Sequence, residues 1–117
     1  FYRNAGSGVF AFGVETGEVF VSPSVARKIS KCYIGVGGVL TFNNARALPA
    51  VVEDTPIEKI LLETDAPYMA PVPHRGKRCH SGLLPHTLET LAQITGISVE
   101  EAAQITLDNA KRFYGIE

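Results

Sequence analysis

Cysteine is scarce in this 117-residue sequence, with Cys32 and Cys79 the whole supply. They form no CxxC pair and no disulfide framework, which excludes the small stapled folds and makes a reducing compartment the default. A single bridge between them stays open, with nothing in the pattern to favour it. Long apolar runs are missing as well. None approaches the roughly 18 residues of a membrane helix, and the first 20 residues lack a basic stretch followed by an apolar core. Charge of one sign is not in excess: 11 Lys and Arg against 12 Asp and Glu leave a formal net charge of -1. No global field draws in nucleic acid, so any anion site has to be a local cluster. Methionine is nearly absent too. The chain opens on Phe1 and Met69 is its only methionine, so it is expected to be either processed or, the favoured reading, a piece of something longer. The absent membrane and signal segments and the unpaired cysteines make a soluble, cytoplasmic protein the expectation.

What is present reads as globular: 45% hydrophobic and 20% charged residues, enough for one domain around one modest core. Residues 9–12 (VFAF) suit a strand, and 18–21 either a strand or a loop. Residues 22–31 suit a short helix capped by Ser22 with Pro23 at its first position. Residues 32–39 (CYIGVGGV) form an apolar, glycine-rich run expected of a strand covered on both faces. Asn43 or Asn44 can cap a helix over 45–54, in which Pro49 demands a kink or a late start. Residues 60–64 supply the next strand. Between 67 and 84, three prolines and two glycines disfavour regular structure and predict an 18-residue loop, a length that is usually functional. A helix from Pro85 presents Leu88, Leu91, Ala92 and Thr95 on one stripe and stops at Gly96. Ser98 and Glu101 then form a capping box for a last helix whose Val99, Ala102, Ile105 or Thr106, Ala110 and Phe113 face inward. Alternating strands and helices imply an α/β fold with parallel strands and crossover helices.

The chemistry concentrates in ILLETDAPYMAPVPHRGKR, residues 60–78. Strand alternation sends Leu61, Glu63 and Asp65 one way and Ile60, Leu62 and Thr64 the other. Asp65 then reaches the C-terminal rim, where parallel α/β folds build their sites. A carboxylate there can bind a divalent cation or take a proton from metal-bound water. The same residue can instead cap the turn at Ala66-Pro67, and Glu63 can be a buried structural group. His74, Arg75, Lys77 and Arg78 crowd into five residues around Gly76, as a phosphate site would require. A solvated charge run is the plainer alternative. His80 is expected to be exposed. His86 either reaches the rim or bonds the loop. Residues 35–38 (GVGG) lack the third glycine of a dinucleotide fingerprint, and Cys79 has no paired base to make it a nucleophile.

Three blocks go further: Tyr33-Ile-Gly-Val-Gly-Gly-Val-Leu-Thr-Phe42, Leu61-Leu-Glu-Thr-Asp-Ala-Pro67 followed by Pro71-Val-Pro-His-Arg-Gly-Lys-Arg78, and Asn109-Ala-Lys-Arg-Phe113 before Gly115. In this order they resemble the TatD family of metal-dependent deoxyribonucleases, amidohydrolase-like (β/α)8 barrels. The resemblance implies a divalent-metal (Mg²⁺ or Zn²⁺) phosphodiester hydrolase acting on DNA. Asp65 would be the last-strand metal ligand or general base. Glu63, His74, Arg75, Lys77 and Arg78 would lie on the substrate side.

The departures are specific. The family's first-strand His-x-His pair, its mid-barrel glutamate and a following histidine have no counterpart in these residues. Its His-x-Phe-Ser-Gly strand is matched at best by Phe10-Ala11-Phe12-Gly13, without a histidine. After Arg78 the family continues Asn-Glu-Pro, against Cys79-His80-Ser81 here. A complete barrel needs roughly 200 residues or more. The expectation is therefore a partial (β/α)8 barrel: about three parallel strands, crossover helices and two C-terminal helices. By itself such an arc would be catalytically incomplete, and a non-catalytic DNA-binding remnant is the alternative. Its open edges and apolar inner face call for a missing N-terminal half or for self-association.

Overall fold

The computed structural model describes residues 2–5, 9–13 and 32–117. Four strands form one sheet in the order β1 (Tyr2–Ala5), β2 (Val9–Gly13), β3 (Cys32–Val36) and β4 (Ile60–Leu62). β2, β3 and β4 run parallel, with Phe10 opposite Cys32 and Ile34 opposite Ile60. β1 is an element that the sequence pattern does not announce. It pairs antiparallel with β2, Tyr2 opposite Phe12. The sheet is mixed where all-parallel pairing was expected. The expected elements at 18–21 and 22–31 lie outside the described residues.

β3 stops at Val36, and a 3₁₀ turn at Gly38–Thr41 replaces the strand expected to reach residue 39. β4 closes at Leu62, yet the Glu63 amide still donates to the Val36 carbonyl at 2.9 Å, so the ladder runs one residue further. The alternation along β4 is as expected. Ile34, Val36 and Ile60 join Leu48, Val51, Val52 and Leu91 in the main core, with Leu62 packed against it. Leu61 lies in a second cluster with Tyr33 and Phe113. The rings of Tyr33 and Phe113 meet edge to face, centroids 5.4 Å apart, the arrangement that the ring quadrupoles favour.

Three helices follow the local signals. α1 (Ala47–Asp54) begins late, which leaves Pro49 in a first turn whose amides need no intrahelical partner. Its N-cap is Arg46, so neither Asn43 nor Asn44 caps it, contrary to expectation. α2 (Leu84–Thr95) ends at Gly96 in the left-handed conformation, φ 72°. Its buried stripe is Thr87, Leu91 and Ala92, with Leu88 only half-buried. α3 (Val99–Tyr114) is capped by Ser98, whose Oγ accepts from the Glu101 amide at 3.1 Å, and stops at Gly115. Its buried face is Ala102, Thr106, Asn109 and Phe113; Val99, expected inside, is exposed. One position after a cap is too early in the first turn to reach the sheet. Among the described residues, no helix is long and apolar enough to cross a membrane.

Two contacts fix the frame at opposite ends of the sheet. At the entry to β4, the fully buried Asn109 donates from Nδ2 to the carbonyls of Ile57 (2.7 Å) and Ile60 (2.8 Å). Arg112 closes the same contact through Asn109 Oδ1 and the Glu58 carbonyl. At the strands' C-terminal end, the loop after β4 folds back against the turn after β3. The approach is so close that a Cβ on Gly38 would lie 2.5 Å from the Met69 carbonyl oxygen. Thr41 Oγ1 donates to the Gly38 carbonyl (2.7 Å) and accepts from the Val72 amide (2.8 Å), stitching loop to turn.

Asn109→Ala removes both donors from carbonyls at the start of β4, and is expected to cost about 2–4 kcal/mol in urea unfolding. Asn109→Asp, which keeps the shape but not the donor, should fare no better. Gln104→Ala, which cuts an exposed bond to Asp108, should stay within about 0.5 kcal/mol. Gly38→Ala is expected to lower the unfolding free energy by about 1–3 kcal/mol by overpacking. Hydrogen exchange should place the loosening in residues 67–79, and unchanged exchange there would contradict the docking.

Candidate phosphate-binding rim

Glu63 leaves β4 on the face of Gly35 and Gly37. A Cβ at Gly35 would stand 3.0 Å from Glu63 Oε2, and one at Gly37 3.7 Å from its Cγ. The glycines therefore clear the space that the glutamate fills, and one of its carboxylate oxygens is shielded from solvent. Thr64 Oγ1 accepts from the Ala66 amide at 3.0 Å, and the Asp65 carbonyl accepts from the Tyr68 amide at 2.8 Å. These two bonds turn the chain sharply just past the strand. Asp65 sits half-buried at that corner.

The loop is a built structure despite its irregular backbone. The Cys79 amide donates to the Pro67 carbonyl at 2.9 Å and closes the loop on itself. Ala70, Cys79 and Leu83 make a small apolar cluster beneath it. Cys79 is a free, buried thiol whose Sγ lies 3.4 Å from Thr64 Oγ1, a packing role in keeping with the lack of a paired base. His80 is exposed as expected, and its Nδ1 accepts from the Gly82 amide at 3.1 Å to cap the short turn before α2. His86 reaches the loop: its ring lies 5.0 Å from that of His74.

Arg75 is the most firmly placed cation. Its guanidinium carbon lies 3.9 Å from the centre of the Phe42 ring, and Nη1 donates to Asn44 Oδ1 at 3.3 Å. Stacking on one face and one in-plane bond hold the planar fork while its other N–H groups stay available. Arg75, Lys77 and Arg78 share an open cleft of about 540 Å³ with Phe42, Tyr68 and Met69. Gly76, at φ 89°, makes the bend between them in a conformation that side chains rarely adopt.

Of the six residues singled out from sequence, three therefore meet in one cleft. His74, Glu63 and Asp65 do not line it. Phe42, Asn44 and Tyr68 are the participants that sequence reasoning missed. An arginine held across 31 residues leaves no local signal, though an aromatic directly after Ala66-Pro67 in a polar loop was visible. Among the described residues, no group of three His, Cys, Asp or Glu stands together to hold a metal ion. The described residues by themselves do not make up a complete metal centre.

Comparison with known proteins agrees with the motif resemblance. A family model described as TatD related DNase matches residues 20–115. The chain is 42% identical over 85 residues to the uncharacterized metal-dependent hydrolase YcfH of Escherichia coli K12, covering 73% of this chain and 32% of that one. It is 39% identical over 97 residues to its counterpart YabD of Bacillus subtilis, covering 81% and 38%. The chain thus spans about a third of these relatives' length. Among solved structures, YjjV, a TatD homologue from E. coli, superposes with a TM-score of 0.73 at 27% identity over 90% of this chain and 41% of that one. A TatD family hydrolase from Entamoeba histolytica, at 19% identity and a TM-score of 0.65 over 80% and 39%, shares the fold. With the loop, the strand ends and the α3 anchor all inside the matched region, the chain belongs to the TatD-related DNase family.

Proposed function

We propose that this chain carries the phosphate-holding rim of a metal-dependent phosphodiester hydrolase of TatD type, with DNA as its substrate. The observation that carries the reading is Arg75, clamped by Phe42 and Asn44 and joined by Lys77 and Arg78 in one cleft. A fixed guanidinium fork suits paired phosphate oxygens, and the cleft opens at the C-terminal ends of the strands, where α/β sites form. β2, β3 and β4 are read as an arc of a (β/α)8 barrel, with Asp65 at its rim. There Asp65 would be one donor to a divalent cation, Mg²⁺ or Zn²⁺, or a general base. When bound, such a cation supplies Lewis acidity and an activated water. Glu63 and His74 would support the same substrate from beside the cleft. A single carboxylate holds a cation too weakly to activate water, so the chain alone is expected to be inactive. We place it in the cytoplasm, paired with the remainder of such a barrel or with a second copy.

The non-catalytic reading, a DNA-binding remnant, keeps one observation in its favour: no three metal-ligating side chains cluster among the described residues.

Fluorescence anisotropy with a short DNA oligonucleotide tests both. Affinity should fall steeply with salt. Arg75→Ala with Lys77→Ala should weaken binding and flatten the log–log salt slope by about 1.5, as expected for two lost phosphate contacts. Asn44→Ala, which only frees Arg75, should cost less, on the order of threefold. Binding that ignores the double variant would sink the phosphate reading. Cleavage by the 117-residue chain with Mg²⁺, abolished in Asp65→Asn, would overturn the expected inactivity. Binding that is indifferent to EDTA and to Asp65→Asn would favour the remnant.

A further inference from the structure

We infer that the cleft seats a nucleobase as well as a phosphate, with Tyr68 as the platform on which the base stacks. The inference rests on the reading above, that Arg75, Lys77 and Arg78 hold phosphate. It assigns a role to a side chain that the phosphate reading does not use.

An exposed tyrosine by itself means little. This one is 72% exposed, yet its backbone is pinned on both sides. Its amide donates to the Asp65 carbonyl at 2.8 Å. Met69, directly after it, adopts φ 59°, in the left-handed region that non-glycine residues rarely enter. That conformation persists because Met69 packs its side chain against the main core while its carbonyl presses on Gly38. With Met69 anchored inward, Tyr68 is left outward on a stiff segment. A rigid aromatic with two side-chain torsions loses little entropy when a ligand covers it.

The company of Tyr68 selects the ligand. Tyr68 lines the same cleft as Arg75, Lys77 and Arg78. A π face beside cations matches the two halves of a nucleotide, a flat base and an anionic backbone, as in proteins that track single strands. A volume of about 540 Å³ falls within the range of roughly 300–1,000 Å³ usual for small-ligand sites. Phe42 is not a competing platform, because Arg75 already covers its face.

The test compares two labelled probes on the purified chain: an oligothymidylate and an abasic strand of the same length. Tyr68→Ala is expected to weaken oligothymidylate binding by about tenfold, in line with alanine substitution of other stacking residues. Abasic binding, the salt slope and the melting temperature should not change. Tyr68→Phe should restore the loss, since the ring and not the hydroxyl carries the contact. If Tyr68→Ala weakens both probes equally, or neither, the stacking role is wrong. Failure of the underlying phosphate reading is separable: there, Arg75→Ala would leave abasic binding and its salt slope unchanged.

Discussion

The functional end of this chain depends on how closely two backbone segments approach at Gly38. The turn after β3 and the loop after β4 come together where a single added methyl would collide with the Met69 carbonyl. Every other tie across that seam needs the same spacing. Thr41 reaches the Val72 amide, and Arg75 reaches both Phe42 and Asn44. The bonds are individually modest, and exposed ones are worth about 1 kcal/mol or less. Their effect is collective: they turn a proline-rich segment that would otherwise be flexible into a wall of defined shape. A ligand bound to such a preformed wall would not have to spend binding energy on ordering the loop.

The two ends of the sheet are held by different physics. At the strand entries, Asn109 and Arg112 satisfy backbone carbonyls from α3, and Tyr33, Leu61 and Phe113 fill the space beside them. Buried polar contacts of that kind are costly to break and serve to fix register. At the strand exits, the inner face is emptied of side chains at Gly35 and Gly37, and Glu63 takes the room. A charged group is thus set on the same face as the apolar Leu61, two residues along one strand. That separation of a sealed end from a polar end is the usual division of labour in parallel α/β folds.

What was legible in the sequence was local. The alternation that puts Leu61 and Ile60 in different clusters follows from strand geometry alone, and so do the Ser98 cap and the late start forced by Pro49. The rest depended on contacts distant in sequence. Asn44 looked like a helix cap because asparagine favours that role, but it faces a loop 31 residues away. Thr106 and Asn109 line the buried face of α3 because their polar atoms find carbonyls, Ala102 for the first and the entry of β4 for the second. A hydrophobicity pattern cannot show such partners. β1 is too short and too polar to stand out without its neighbour.

The carboxylates and the cations of the rim stand on separate supports. Glu63 and Asp65 ride on the end of β4, whereas Arg75, Lys77 and Arg78 ride on the loop and its dock against Phe42 and Asn44. Perturbing the dock would therefore act first on the three cations, and on Asp65 only through the turn that its carbonyl makes with the Tyr68 amide. The described residues bring three cations into one cleft, and among them no three His, Cys, Asp or Glu side chains stand together. A hydrolase and a binding remnant would share the loop unchanged and differ in what stands opposite Asp65.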